Sequence, residues 1–222
     1  NTCCAVSPSG GGQKVYFTDK KLYYEQNRTE PCKSSKDWVA KYNPDTNTLT
    51  LRGYHGGTIT FESHPDGLSP RIELIYSNTI TVTEPGKNGY YSGIYTRANA
   101  DSLTIDRSED ATGSVAMYID IKPKTVADNG SLVAVFTPSI KEIFTYADVC
   151  ITVDNPEKNR ELFQAGIYQT MGRVYKMSNG EGVPYNPLLH VLGDSEFIIY
   201  MYTAYPKKII GYSNYAYNGI VQ

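Results

Sequence analysis

The feature that most constrains this chain is a recurring short run in which threonine or another polar residue alternates with leucine, isoleucine, valine or phenylalanine. Examples are Thr48-Leu-Thr-Leu, Thr58-Ile-Thr-Phe, Arg71-Ile-Glu-Leu-Ile, Thr79-Ile-Thr-Val and Ser102-Leu-Thr-Ile. Successive side chains of a strand point to opposite faces, so each run has one apolar and one polar face and reads as a half-buried β-strand. Glycine, asparagine, aspartate and proline separate the runs, and these are the residues that turns require. The same texture continues through 114–121, 131–136, 142–146, 149–153, 165–168 and 173–177. Strand starts recur every 8 to 13 residues or so, about the spacing of either hairpins or the successive faces of a coil. Periodicity alone does not separate antiparallel from parallel pairing.

No stretch shows sustained helical spacing, and 157–164, after Asn155-Pro156, is the one short helical candidate. The expected class is therefore all-β, and its 222 residues suffice for one domain with a large core. Residues 1–37 read as a flexible start and amino-terminal cap, 38–195 as the main strand array, and 196–222 as carboxy-terminal cap strands. Gly93 and Gly166 each open a Gly-Ile-Tyr strand and are expected to bend the backbone at positive φ. The nearly continuous apolar run from Glu196 to Tyr205 is expected to be a strand covered on both faces.

Charge excludes some partners. Lys and Arg number 21 against 23 Asp and Glu, scattered along the chain, which leaves no electrostatic footprint for nucleic acid. No apolar run reaches the ~18 residues of a membrane span. The chain opens on Asn1 rather than Met and shows no signal peptide, which is compatible with a mature or a trimmed form whose export signal has been removed. Cys3, Cys4, Cys32 and Cys150 show no C-x-x-C pair and no partnered His spacing, which argues against zinc and thioredoxin-type chemistry. Cys32 can pair with Cys3 or Cys4, with free thiols as the alternative, and Cys150 in an apolar strand reads as a buried thiol.

The segment from Asp37 to Ile59, Asp-Trp-Val-Ala-Lys-Tyr-Asn-Pro-Asp-Thr-Asn-Thr-Leu-Thr-Leu-Arg-Gly-Tyr-His-Gly-Gly-Thr-Ile, has a distinctive order of aromatics, turn residues and Thr-Leu alternation. After it come Ile72-Glu-Leu-Ile-Tyr-Ser-Asn-Thr-Ile-Thr, Ser92-Gly-Ile-Tyr and Ser102-Leu-Thr-Ile. Residues 37–106 thereby resemble the β-helical surface proteins secreted by Gram-positive bacteria, especially gut and cellulolytic clostridia. The resemblance implies a right-handed parallel β-helix of the pectate-lyase-like type with β-rich caps, on a secreted or cell-surface protein. It also implies a role in binding polysaccharide or another surface glycan, with calcium as a possible companion. After Asp106 the chain departs from that pattern and becomes more aromatic. A β-sandwich is the alternative architecture.

Binding and catalysis predict different residues. Twenty tyrosines against 6 Phe and one Trp make flat amphipathic rings abundant. Tyr90, Tyr91 and Tyr95 with Arg97 are the first candidate ligand-binding group, and Tyr212, Tyr215 and Tyr217 are a second. A calcium-dependent polysaccharide lyase would need converging carboxylates and a basic residue. Asp101, Asp106 and Asp110, with Glu109 nearby and Arg97 and Arg107 flanking, form the candidate metal group. His55, His64 and His190 belong to no hydrolase or zinc-protease motif and read as surface or loop residues. Asn43-Pro-Asp-Thr-Asn reads as a β-turn rather than a calcium loop, because the closing acidic ligand is missing. Asn27-Arg-Thr and Asn129-Gly-Ser match a glycosylation sequon that carries little meaning in a bacterial protein, and Gly10-Gly-Gly is too short for a phosphate loop. Three roles follow: a non-catalytic glycan-binding module, a lyase, or a structural or adhesive stalk.

Overall fold

Alternation in sequence becomes alternation in burial. In the strand Ser77–Val82, Asn78, Ile80 and Val82 are buried, Ser77 is exposed, and Thr79 and Thr81 are half-buried. The computed structural model describes backbone and side chains for 38–86, 89–158, 160 and 162–168, and backbone alone for the strands outside those ranges. The described residues are all-β and contain no helix. In particular, no helix is long and apolar enough to cross a membrane.

The chain opens with β1 (Thr2–Cys4), β2 (Val15–Thr18), β3 (Lys21–Tyr24) and β4 (Ala40–Asn43). A first circuit follows as β5 (Thr48–Arg52), β6 (His55–Gly56) and β7 (Ile59–Phe61). The second comprises β8 (Arg71–Ile75), β9 (Ser77–Val82), β10 (Tyr90–Tyr91) and β11 (Ile94–Thr96). The third is β12 (Ala100–Arg107), β13 (Ala116–Ile121) and β14 (Ser131–Phe136), and the fourth is β15 (Ile140–Thr145), β16 (Asp148–Asn155) and β17 (Gln164–Tyr168). Last come β18 (Arg173–Ser178), β19 (Glu181–Pro184), β20 (His190–Val191), β21 (Phe197–Thr203), β22 (Ala216–Tyr217) and β23 (Ile220–Val221).

On each circuit the chain visits three sheets in the same order. The first sheet contains β5, β8, β12 and β15 side by side, the second β6, β9, β13, β16 and β21, and the third β7, β11, β14 and β17, all paired in parallel. Antiparallel pairing is confined to the ends: β1 and β4 extend the first sheet before β5, the β2–β3 hairpin extends the third beyond β7, and β18–β19 and β17–β22 pair near the carboxy terminus. Thr48, Arg71, Thr104 and Phe144 stand side by side, so successive returns to the first sheet take 23, 33 and 40 residues.

Parallel register stacks like on like inside. Leu49, Ile72 and Ile105 form one inward row, Ile80, Ile119 and Ile151 a second, and Ile59, Ile94, Val135 and Ile167 a third, all at most 3% exposed. The rows meet in a single buried cluster, and each buried aliphatic side chain contributes about 1.5–3 kcal/mol over its exposed state.

Several expectations require correction. Gly93 does not have positive φ; a Cβ there would lie 2.3 Å from the Ile119 Cγ2, so the glycine makes room for the neighbouring isoleucine. Gly166 lies within β17. The described residues of 157–164 are not helical: the Asn155 side chain accepts the Glu157 N–H at 3.0 Å, the Glu157 carboxylate accepts the Val126 N–H at 2.8 Å, and Leu162 turns into the core. Those side-chain bonds tie the segment to the 122–130 loop and compete with helical ones. Cys150 is half-buried on the outward face of β16 beside Tyr118, because Val149, Ile151 and Val153 take the inward positions. Burial, followed by the charge of Asp120, pushes its thiol pKa up. Cys32 lies outside the described residues, as do the side chains of Cys3, Cys4 and the Glu196–Tyr205 run.

The first two corners between the first and second sheets use left-handed backbone. Gly53 (φ 61°) fills this position in the first circuit and Tyr76 (φ 64°) in the second, where Ile75 stands beside Arg52. A tyrosine is strained there, and Asn78 braces it. The Asn78 amide, fully buried, accepts the Tyr54 N–H at 2.8 Å and donates to the Ile75 and Tyr76 carbonyls, both at 3.1 Å.

Candidate functional site

The first aromatic candidates separate by strand parity. Tyr91 points inward, is 2% exposed, and its hydroxyl accepts the Ala127 N–H at 3.0 Å, so it is a core residue rather than a binding one. Tyr90 and Tyr95 lie on the outer face of the third sheet. There Tyr95, Phe136 and Tyr168 stand in register with ring centroids 5.3 Å apart and planes 13° and 7° from parallel, and Tyr90 stacks on Phe136 at 4.5 Å. The centroid spacing is close to the ~4.8 Å between strands, so the ring normals run along the stacking direction and the edges face outward. A sugar ring prefers an aromatic face, and these faces cover one another. Arg97, after β11, is exposed and lies 3.8 Å from Glu62. Tyr212 and Tyr215 lie outside the described residues, as does the side chain of Tyr217.

The candidate metal residues do not converge. Asp101 and Asp106 sit five residues apart on β12, roughly 16 Å in an extended strand. Asp101 pairs with Lys141 at 3.1 Å, whereas Asp106 accepts Arg71 at 2.6 Å on one oxygen and the Arg107 N–H at 2.7 Å on the other. Asp110 belongs to the turn that follows, and Arg107 turns back onto the Ala111 and Gly113 carbonyls of the same loop. No group of three His, Cys, Asp or Glu among the described residues is arranged to hold a metal ion. The set does not fit calcium, whose binding needs several oxygens directed at one point.

What the fold does assemble is a groove of about 390 Å³ on the outer face of the first sheet. Its floor is the outward row of successive strands, Lys41 beside Thr50 beside Glu73, with Asn43, Thr48 and Arg71 in the adjacent row. Asp106 continues the first of these rows. Trp38 stands at the β4 side, and the Ser108-Glu109-Asp110 turn after β12 forms the opposite wall. From β4 to β12 is three strand steps, about 14 Å along the stacking direction. The Trp38 indole rests on Arg52, whose guanidinium lies 4.1 Å from the ring centroid and whose Nε donates to the Trp38 carbonyl at 3.0 Å. Lys41 Nζ is 5.5 Å from the same ring.

Arg71 organises the floor. Its Nε donates to Glu73 at 3.0 Å and its Nη2 to Asp106 at 2.6 Å. Burial works against its charge, but the hydrogen bonds and charges of Glu73 and Asp106 prevail and lift its pKa above the ordinary value. A guanidinium has five N–H groups, so three remain beyond these two bonds on a side chain fixed in place. Of the groove residues only Glu109 and Asp110 stood among the sequence candidates. Trp38, Lys41, Arg71 and Glu73 converge through register, and no spacing within one strand signals that.

The groove's edge is anchored from below. The 44–47 turn forms as the sequence predicts, with Asn43 accepting the Asp45 N–H at 3.0 Å and Asn47 at φ 51°. Asn47 donates to the Leu68 carbonyl at 2.8 Å, and its Oδ1 accepts the Tyr42 hydroxyl at 2.7 Å. His64 is a buried brace rather than a surface residue: Nε2 lies 2.6 Å from the Pro44 carbonyl and Nδ1 accepts the Asp66 N–H at 3.0 Å, which assigns the proton to Nε2. His55 is exposed on β6, and His190 is in β20.

Burial pushes the Tyr42 hydroxyl up to about 12. The unfolded chain therefore loses this proton first, near pH 10, and the contribution of Tyr42 is complete below that pH and lost as pH rises towards 12. Tyr42→Phe is expected to cost about 1 kcal/mol at neutral pH through the lost hydrogen bond and to flatten the alkaline fall in stability. Urea unfolding of both proteins at pH 8 and above 10 checks this; parallel curves for the two would sink it.

No known protein family, curated protein or solved structure matches this chain.

Proposed function

We propose that this chain is a right-handed parallel β-helix module of an extracellular or cell-surface protein, which binds polysaccharide in the groove beside Trp38 without acting on it. The β-helix reading is supported by consecutive strands falling in different sheets while equivalent strands of successive circuits pair in parallel, the reverse of a hairpin-connected sandwich. Parallel crossovers are almost always right-handed. The 37–106 segment that resembles secreted β-helical proteins supplies β4, β5 and β8, the strands that carry the groove's floor.

The observation that carries the binding reading is the lining itself. Threonine and serine hydroxyls, an asparagine amide, a fixed guanidinium and one indole are the groups that hydrogen-bond sugar hydroxyls and pack against sugar C–H faces. Glu73 and Asp106 are tied to Arg71 and so are poorly placed to move protons. A glycan array with and without chelator, followed by titration calorimetry and an absorbance assay for unsaturated products, tests the proposal. Saturable, chelator-insensitive binding without new absorbance is expected. Trp38→Ala should weaken it by roughly tenfold, the order of one aromatic contact, while Tyr118→Ala on the second sheet should not. Absorbance that vanishes with chelator would establish a lyase, and no binding at all would favour a structural or adhesive role.

A further inference from the structure

We infer that the ligand of this groove is an uncharged glycan and that uronic-acid polymers are excluded from it, an inference that rests on the binding reading above. Lys41 and Arg71 face Glu73, Glu109 and Asp110 in the lining, and Asp106 holds Arg71 from β12. Within the lining two positive charges therefore meet three negative ones, while just outside it Asp106 pairs with Arg71, and Arg52 and Arg107 bring positive charge to the two edges.

The arrangement matters more than the total. Arg71 is the one cation at the centre of the floor, and Glu73 and Asp106 already balance it from both sides. A carboxylate on a ligand would compete for a guanidinium that carries two. It would also lie near Glu109 and Asp110, whose wall faces the same space. Like charges brought together at a binding surface act against the wrong partner more strongly than single contacts favour the right one. A hydroxyl meets no such penalty: it accepts from the remaining Arg71 N–H groups and donates to Glu73 or Asp110. The groove thus offers donors for neutral oxygens and acceptors for hydroxyl protons, and the cation at the centre of its floor is already balanced; Lys41, which pairs with no carboxylate among the described residues, stands at the β4 edge near the Trp38 ring.

Affinity electrophoresis in gels containing a soluble neutral β-glucan or polygalacturonate, at low and at high salt, tests this on the intact chain. The wild type is expected to be retarded by the neutral polymer nearly independently of salt, and at least tenfold more weakly by polygalacturonate. The double variant Glu109→Gln/Asp110→Asn should gain polygalacturonate retardation that is strongest at low salt, since exposed charges are screened as salt rises. Equal or stronger retardation of the wild type by polygalacturonate would overturn the inference while leaving glycan binding intact, provided Trp38→Ala still weakens it. No retardation by either polymer would overturn both.

Discussion

Ile119→Ala lowers the stability of this fold by about 3 to 4 kcal/mol, and Gly93→Ala made in the same chain recovers part of the loss. Ile119 is fully buried between Ile80 and Ile151 in the second sheet. Truncating a buried isoleucine removes its transfer free energy and leaves a cavity, together about 2–5 kcal/mol. Here one wall of the cavity is Gly93, which has no side chain to move into it. An added Cβ at Gly93 would lie 2.3 Å from Ile119 Cγ2 and 3.2 Å from the Ala134 carbonyl oxygen. Gly93→Ala alone is therefore overpacked, at about 1–3 kcal/mol, but in the truncated background its methyl enters space that Ile119 has vacated. Urea unfolding of the two single variants and the double variant gives the coupling directly. A double variant as unstable as the sum of the singles would show that these side chains do not share the space.

Asn78→Ala is expected to cost about 3 kcal/mol, although it removes no apolar surface. The Asn78 amide joins two circuits of the fold at their corner, accepting from Tyr54 in the first and donating to Ile75 and Tyr76 in the second. Without it the buried Tyr54 N–H loses its acceptor, at about 1–3 kcal/mol where water cannot replace it, while the Ile75 and Tyr76 carbonyls each lose one donor and keep the Gly53 and Ala116 N–H groups. Tyr76 also loses the bond that steadies its left-handed backbone. Asn78→Asp keeps the acceptor but brings a carboxylate against two carbonyls. Burial raises the pKa of such an acid, so that variant should lose further stability as pH rises through its folded pKa. Thermal unfolding at pH 5 and pH 8 separates the two: the alanine variant should show little extra pH dependence and the aspartate variant a marked fall. A loss below 1 kcal/mol for Asn78→Ala would mean that water or a neighbouring side chain satisfies the corner.

The strands were legible because burial on one face requires alternation, and alternation is local. Asn78-Thr79-Ile80 could be marked from the sequence as part of a familiar string, but nothing in the string says that the asparagine faces inward to bind a neighbouring circuit. Cys150 faces outward and Tyr91 inward, against the expectation from sequence, for a related reason: an apolar or aromatic residue in a strand indicates a face only once the parity of that strand is fixed. Of the metal candidates, close in sequence, Asp101 and Asp106 are separated by an extended strand and committed to Lys141 and Arg71, and Asp110 lies in the turn beyond. Circuits of 23, 33 and 40 residues explain why no clean repeat period announced the architecture.

By itself, then, the sequence determined the all-β class, the positions of most strands and turns, and the core-seeking face of the strands that alternate strictly, because these follow from side-chain chemistry over a few residues. Tertiary structure alone decided that the strands pair in parallel across circuits, that Tyr95, Phe136 and Tyr168 close their faces against one another, and that Trp38, Lys41, Arg71 and Glu109 line one groove. Residues separated by more than 70 positions come to line one groove only when the register is set, and register depends on the packing of the whole core rather than on any segment of it.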